Sequence, residues 1–452
     1  MKICVNIPIL VILILIESFC LAEPGREQSP DLGFIAEPSR EERRRIEGLQ
    51  DRAGSRPGPI ACPMTRNAAC SFYSDPWKSC SGSVEEEASL EVLRASLAHF
   101  AADSFAAVSR QIPRGNVVFS PFSLASILTH LLLGARGHTK VALEGVLHYK
   151  DHFKCVHQSL KLLLNASHSL TSTSQLFFRE GVCLEQSFIE RSEHFYGQQP
   201  EALTHNRTEN VELVNALVRR ATKGLIPHML DSVSDDTIFM FINAIIYSGK
   251  WKTTFDKEMT TYESFSLNRK ESVRVPMMQS MSYPLAAISF PSPNVEVGKF
   301  QLFGKNSFVV IMPVYPSLDL ANVERKLTSE KLLEIMDQLS QVDYKPTTVY
   351  LPRLKMDFTQ DLLDAVIEME RRCSNPTNLC GLTQGSGMLV SSMIHRAVIS
   401  LDEQGVEAAA AMTMTVSRTI SIFQVNRPFL WLIWDHVLGS PVFIGRVVDP
   451  SV

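Results

Sequence analysis

Through ASLEVLRASLAHFAADSFAAVSRQ (88–111) the apolar positions recur three and four residues apart, which predicts a helix with one face on a core. Elsewhere the period shortens. FMFINAIIYS (239–248), SFVVIMPVY (307–315), TTVYLPRLKM (347–356) and SPVFIGRVV (440–448) are brief and rich in β-branched and aromatic residues, and carry strand patterns. No linker, repeat or low-complexity break interrupts the chain after residue 88. The mixture predicts one α+β domain over residues 88–452.

One stretch carries both periods. EAAAAMTMTVSRTIS (407–421) opens on four alanines, which suit a helix, and continues in alternating Met, Thr and Val, which suit a strand. Counted in twos from Val406, the residues Val406, Ala408, Ala410, Met412, Met414 and Val416 are all apolar. The set between them is small or polar. Local propensity favours a helix capped near Asp402; the β-branched tail and the following ISIFQV favour a strand. Both readings stand on the residues alone.

The N-terminus changes the compartment. Lys2, an apolar run from Ile9 to Ile16 and Cys20-Leu21-Ala22 form a secretory signal over residues 1–22, too short to span a bilayer. The expected location is therefore extracellular, with no membrane attachment. Residues 23–87 read as a flexible charged extension with a cysteine tether, and REERRRIEGLQDR within it as a short solvated helix. Of nine cysteines, Cys4 and Cys20 leave with the signal. Cys62, Cys70, Cys80, Cys155, Cys183, Cys373 and Cys380 remain, an odd number in an oxidising compartment. Asn165 and Asn206 begin glycosylation sequons.

The composition, 45% hydrophobic and 20% charged with a net charge of -4, is that of a globular protein without a global pull toward nucleic acid. Signatures of catalysis are missing. The sequence holds no G-x-S-x-G elbow, no H-E-x-x-H and no dinucleotide-binding glycine loop, so an enzyme is not expected. His395, in an apolar strand-like run, reads as a hydrogen-bonded core residue.

Five stretches in order resemble the serpins. Glu403-Gln-Gly-Val-Glu-Ala-Ala-Ala-Ala is similar to the hinge of their reactive-centre loop. NVVFSPFSLASILTHLLLGA (116–135), FINAIIYSGKWKTTFD (241–256), VPMM (275–278) and NRPFLWLIWDHVLGSPVFIGRVVDP (426–450) resemble their other signatures. The resemblance implies a large central β-sheet with additional sheets, about nine helices and an exposed reactive-centre loop. It also implies a monomer that inhibits trypsin-like serine proteases as a suicide substrate, through a covalent acyl complex. The likeness is strongest to a plasma member, which points to complement-initiating proteases and contact-system, kallikrein-like enzymes. A non-inhibitory serpin of carrier or hormone-precursor type is the alternative, and the small-residue hinge argues against it. Enhancement by heparin-like polyanions, the glycosaminoglycans, is the one cofactor effect the resemblance allows.

The resemblance also distributes roles. The cut falls between Arg418 and Thr419. Glu403, Gly405, Val406, Glu407, Ala408, Ala409 and Ala410 form the hinge. Glu403 pairs with Arg353, and Asn116, Ser120, Ser123, Asn243 and His395 form a polar shutter where the sheet opens. Disulfides Cys62–Cys380 and Cys70–Cys155 tie the tether to the domain. Several features depart from the pattern. The spacing between Cys62 and Cys70 is one residue longer, and the resemblance implies no partner for Cys80, Cys183 or Cys373. The loop from Glu403 to Arg418 is one residue shorter than the commonest serpin spacing, which would nominate Thr419, a poor fit for a trypsin-like pocket. Residues 23–60 hold only three serines and no threonine, unlike the mucin-like region of the plasma member.

Overall fold

The computed structural model describes Cys70, Tyr73, residues 75–77 and the chain from 83 to 451, except 151–152, 167–169, 317, 371–377, 385–387 and 405–420. The chain divides into two units, residues 1–54 and 55–452, and every described residue belongs to the second. The expected signal, residues 23–69 of the expected extension with its short helix, and Cys80 and Cys373 lie outside the described residues. Residues 83–87, expected in the flexible extension, instead form the first turns of a helix, Ser83–Gln111, so the folded domain begins before residue 88. Among the described residues no helix is long and apolar enough to cross a membrane.

Nine α-helices are described: α1 (Ser83–Gln111), α2 (Pro121–Gly134), α3 (Gly137–Val146), α4 (Val156–Ala166), α5 (Gln186–Tyr196), α6 (Arg207–Ala221), α7 (Leu320–Lys326), α8 (Ser329–Ser340) and α9 (Leu363–Met369). Their starts follow from side-chain chemistry. Ser120 accepts from the Ser123 amide and Pro121 stands in the first turn, so α2 begins where an orphan N–H is satisfied and a missing one does no harm. Every residue of α2 is buried, as its apolar sequence requires. Asn206 caps α6 in the same way, accepting from Thr208 and Glu209.

The strands form two sheets. The first follows the order β10 (Leu354–Asp361), β11 (Val390–Leu401), β4 (Phe239–Ser248), β2 (Leu170–Arg179), β3 (Glu201–Leu203). The second, nine-stranded, runs β1 (Val117–Phe119), β14 (Ser440–Val447), β13 (Phe429–Asp435), β8 (Asn306–Pro313), β7 (Val295–Gln301), β6 (Ser272–Phe290), β9 (Lys345–Pro352), β12 (Ser421–Gln424), with β5 (Thr261–Ser266) also on β6.

The continuous hydrophobicity of FMFINAIIYS is explained by burial on both faces. Phe239, Phe241, Ile245 and Tyr247 enter the main core; Met240, Ile242, Ala244 and Ile246 enter a second cluster with Val214 and Val218 of α6. TTVYLPRLKM is divided between two strands of different sheets, with Arg353 at the break. Pro352 carries no N–H to continue the ladder, and the Arg353 amide bonds the Pro276 carbonyl at 3.1 Å.

The disulfide pairing differs from both expected bridges. Cys70 is bonded to Cys380, with Cα atoms 5.3 Å apart. Neither Cys62–Cys380 nor Cys70–Cys155 can then form, because each expected bridge needs a sulfur already used. Cys155 and Cys183 are also in disulfides. The tether's own contacts account for the seat of Cys70. The Trp77 indole donates to the Leu133 carbonyl at the end of α2, and Asp75 pairs with Arg191 of α5 and lies 3.9 Å from Arg136. Burial works against the Asp75 charge, but the hydrogen bonds from Arg191 and the Trp77 amide prevail and hold its carboxyl below the usual range.

Candidate functional site at the central strand seam

At the middle of the five-stranded sheet β4 and β11 run parallel, while their outer neighbours β2 and β10 pair antiparallel to them. The parallel register extends from Phe239 beside Val390 to Ser248 beside Ser400. Residues 405–420 leave from the C-terminal end of β11 and the chain resumes in β12. The site is this seam, the base of the departing segment and the strand that receives it.

Midway along the seam His395 of β11 stands opposite Asn243 of β4. His395 is fully buried, and that burial holds its pKa down to about 3, so the ring is neutral. Its Nε2 accepts from the Ser120 amide at 3.1 Å. The proton therefore sits on Nδ1, which donates to Asn243 Oδ1 at 2.8 Å. Asn243 Nδ2 donates in turn to the Thr173 carbonyl of β2 at 3.1 Å. One neutral relay thus links three strands and the N-terminus of α2, where Ser120 also accepts from the Ser123 amide. Asn116 does not share these bonds. Its amide clamps the chain after β14, donating to the Asp449 carbonyl and accepting from the Val448 and Asp449 amides, because it precedes β1 at the edge of the other sheet.

At the open end of the seam the chemistry becomes ionic. Glu403 is 2% exposed, and its Oε1 accepts from Arg353 Nε and from Thr260 Oγ1, each at 2.6 Å. Burial alone would raise the carboxyl's pKa; the bonds from Arg353 and Thr260 outweigh it and hold the group below the usual range. The backbone is held as well. The Trp251 amide bonds the Gln404 carbonyl, the Phe255 amide bonds the Glu403 carbonyl, and the Trp251 indole donates to the Asp402 carbonyl. Trp251 is buried among Phe255, Phe300 and Phe308. No charge or motif distinguished Trp251, Phe255 or Thr260 in the sequence, although the stretch containing the first two stood out.

The far anchor is apolar. β12 pairs parallel with β9, and Phe423 lies against Gly298 of β7 so closely that a Cβ there would come within 2.6 Å of the ring. Of the expected residues, Gly405, Val406, Glu407, Ala408, Ala409, Ala410, Arg418 and Thr419 lie outside the described ones. Asn165, near the end of α4, and Asn206 are both exposed.

Comparisons with known proteins agree with this architecture. The serpin (serine protease inhibitor) family matches residues 95–450. The chain is 38% identical to the human plasma protease C1 inhibitor, over 84% of this chain and 76% of that one. It is also 38% identical to the bovine factor XIIa inhibitor, over 74% and 70%. The crystal structure of mouse protein-Z dependent protease inhibitor superimposes with a TM-score of 0.72 at 22% identity, covering 82% of this chain and all of that one. Uncleaved ovalbumin gives 0.70 at 24%, covering 79% and all. The two-sheet architecture, the helices and these matches lead to one assignment: the chain belongs to the serpin family.

Proposed function

We propose that this chain is a secreted suicide inhibitor of trypsin-like plasma serine proteases. Its targets in this reading are complement-initiating and contact-system enzymes, with effects on coagulation and fibrinolysis. The observation that carries the reading is the parallel β4–β11 seam beneath the departing segment. A strand that turns back from the end of β11 runs antiparallel to β11 and to β4 alike. The seam is therefore the one position in this sheet where the segment can be added to make antiparallel ladders on both sides. Alternate apolar residues from Val406 to Val416 suit a strand buried on one face.

The steps follow from this placement. The protease attacks the Arg418 carbonyl, Arg418 filling its acidic specificity pocket, and the peptide bond to Thr419 breaks as the new amine leaves. An ester now joins Arg418 to the protease serine. The freed segment enters the seam from Val406 onward, the small side chains of Ala408 and Ala410 first, and carries the protease with it before water can cleave the ester. Insertion must part the Asn243–His395 relay and rearrange the Glu403 clamp, so both set its rate. The names of the C1 and factor XIIa inhibitors support the choice of targets. Glycans on the exposed Asn165 and Asn206 and a role for glycosaminoglycans belong to the same reading.

The test is a denaturing gel of the full chain mixed with an activated complement-initiating serine protease. A covalent band is expected from the wild type and none from Arg418→Ala. An intact protease and an intact Arg418, or a band that survives the substitution, would refute respectively the inhibitor and the scissile bond.

A further inference from the structure

A cleft of about 970 Å³ opens where five segments meet: the turn after α1, the β5–β6 turn, the chain from the end of β8 into α7, the entry to β13 and the exit of β14. Its size is that of a small-molecule site. The floor is apolar. Leu267, Pro313, Leu318, Leu320 and Pro428 line it, and Leu320 is 7% exposed. Tyr315 stands beside them with its ring 60% exposed, a large aromatic surface left to solvent. The charge of the cleft runs against that of the chain. Four arginines face two carboxylates there, while the chain as a whole carries -4.

The arginines differ in what they still offer. Arg446 is spent. Its Nη1 lies 3.0 and 3.1 Å from the two carboxylate oxygens of Glu324, and its Nε and Nη2 donate to the Gly115 and Ile112 carbonyls. Asp319 is spent as well, accepting from the Ala321 amide. Arg427 is held in place without being neutralised. Its Nε donates to the Pro313 carbonyl at 2.8 Å, Nη2 to the Val314 carbonyl at 3.2 Å and Nη1 to Asn426 Oδ1 at 3.0 Å. A guanidinium has five N–H groups, so one remains on each terminal nitrogen, a pair that matches the two oxygens of a carboxylate. Burial pushes its pKa down and Glu296 only partly offsets this, as for a cation short of counter-charge. On the rim, Arg114 is exposed. The bond from Arg446 Nε to the next residue's carbonyl fixes the backbone beside it.

We propose that this cleft binds a small amphipathic carboxylate, its acid group on Arg427 and Arg114 and its apolar body on Tyr315 and the leucine and proline floor. The fixed guanidinium gives the acid two charge-assisted hydrogen bonds at little cost in ordering, because three bonds already hold it. The floor removes the body of the ligand from water, which a bare anion could not exploit. Occupied, the cleft joins the turn after α1 to the entry of β13 and stabilises the folded chain as the ligand concentration rises.

The full-length chain is titrated by calorimetry with sodium 1-naphthaleneacetate and, separately, with 1-naphthaleneacetamide, which keeps the ring and lacks the charge. The thermal midpoint is followed in both. The expected result is one acid per chain with a rise in the midpoint, and an amide bound at least ~10-fold more weakly. Arg427→Lys keeps the charge and loses the paired N–H groups; it and Tyr315→Ala should each weaken the acid by about 10-fold. Arg114→Gln, at the exposed rim, should weaken it by about 3-fold. Tyr315 and Arg114 are exposed, so their variants keep the fold and decide the matter if Arg427→Lys does not. A wild type that takes up no acid at millimolar concentration would overturn the proposal. So would an amide that binds as tightly as the acid, or wild-type affinity in both Tyr315→Ala and Arg114→Gln.

Discussion

Two polar clasps close the same seam by opposite means. The one at its middle, His395 with Asn243, Ser120 and Thr173, is neutral, fully buried and made of single hydrogen bonds. The one at its end, Glu403 with Arg353 and Thr260, is ionic, and the Arg353 side chain is 42% exposed. A neutral relay in a dry interior resists salt and depends on shape. An ion pair with one member in water is weakened by screening and by protonation. In the proposed insertion the inner clasp is the salt-insensitive obstacle to parting the strands, and the outer one fixes Glu403 and Gln404 at the end of β11.

Replacing His395 should break the comparison most severely. His395→Ala leaves a cavity and strips the partners from the Ser120 amide and the Asn243 carbonyl oxygen. The expected loss is about 3–4 kcal/mol, measured by denaturant unfolding. Acid provides a second handle on the same residue. Its folded pKa, about 3, lies below the ordinary histidine value, so the unfolded chain binds the proton more tightly. The neutral ring's contribution is complete above the unfolded pKa of about 6.5 and diminishes as pH falls from there toward 3. Buried His130, also near 3, acts in the same sense. A His395→Gln variant should therefore lose up to about 1.4 kcal/mol per pH unit of acid sensitivity in that window.

The outer clasp should respond less and lower on the pH scale. Arg353→Ala leaves Glu403 buried with Thr260 as its remaining side-chain partner, at a cost of about 1–2 kcal/mol. Because the Glu403 carboxyl is held below its usual range, its contribution is present above the ordinary carboxylate pKa and is lost as pH falls through the folded value. High salt should shrink the difference between Arg353→Ala and wild type. The smallest effect is expected at the far anchor. Gly298→Ala drives a methyl into the Phe423 ring and should cost about 1 kcal/mol, seen as faster hydrogen exchange in β12.

The two clasps also differed in how far they could be read in the sequence. His395 lay in an apolar run that marked it as a satisfied core residue, and the five ordered stretches pointed to the fold. The bonds themselves depend on register. Nothing local places Asn243 beside His395 or shows that Asn116, a few residues before Ser120, turns to the chain after β14 instead. Trp251, Phe255 and Thr260 act largely through backbone contacts and burial, which leave no spacing signal. Cysteine pairing was legible least of all: thiol counts state that bridges form, and the docking of Asp75 and Trp77 on α2 and α5 selects Cys70–Cys380.

The central claim is that residues 405–420 can become the sixth strand between β4 and β11, parting both clasps as they enter. The most direct measurement is the thermal midpoint of the chain before and after a single proteolytic cut within 405–420. Insertion converts one parallel seam into two antiparallel ladders, so the cut chain should melt far above the intact one. A cut chain that melts at the same temperature or lower would contradict the account.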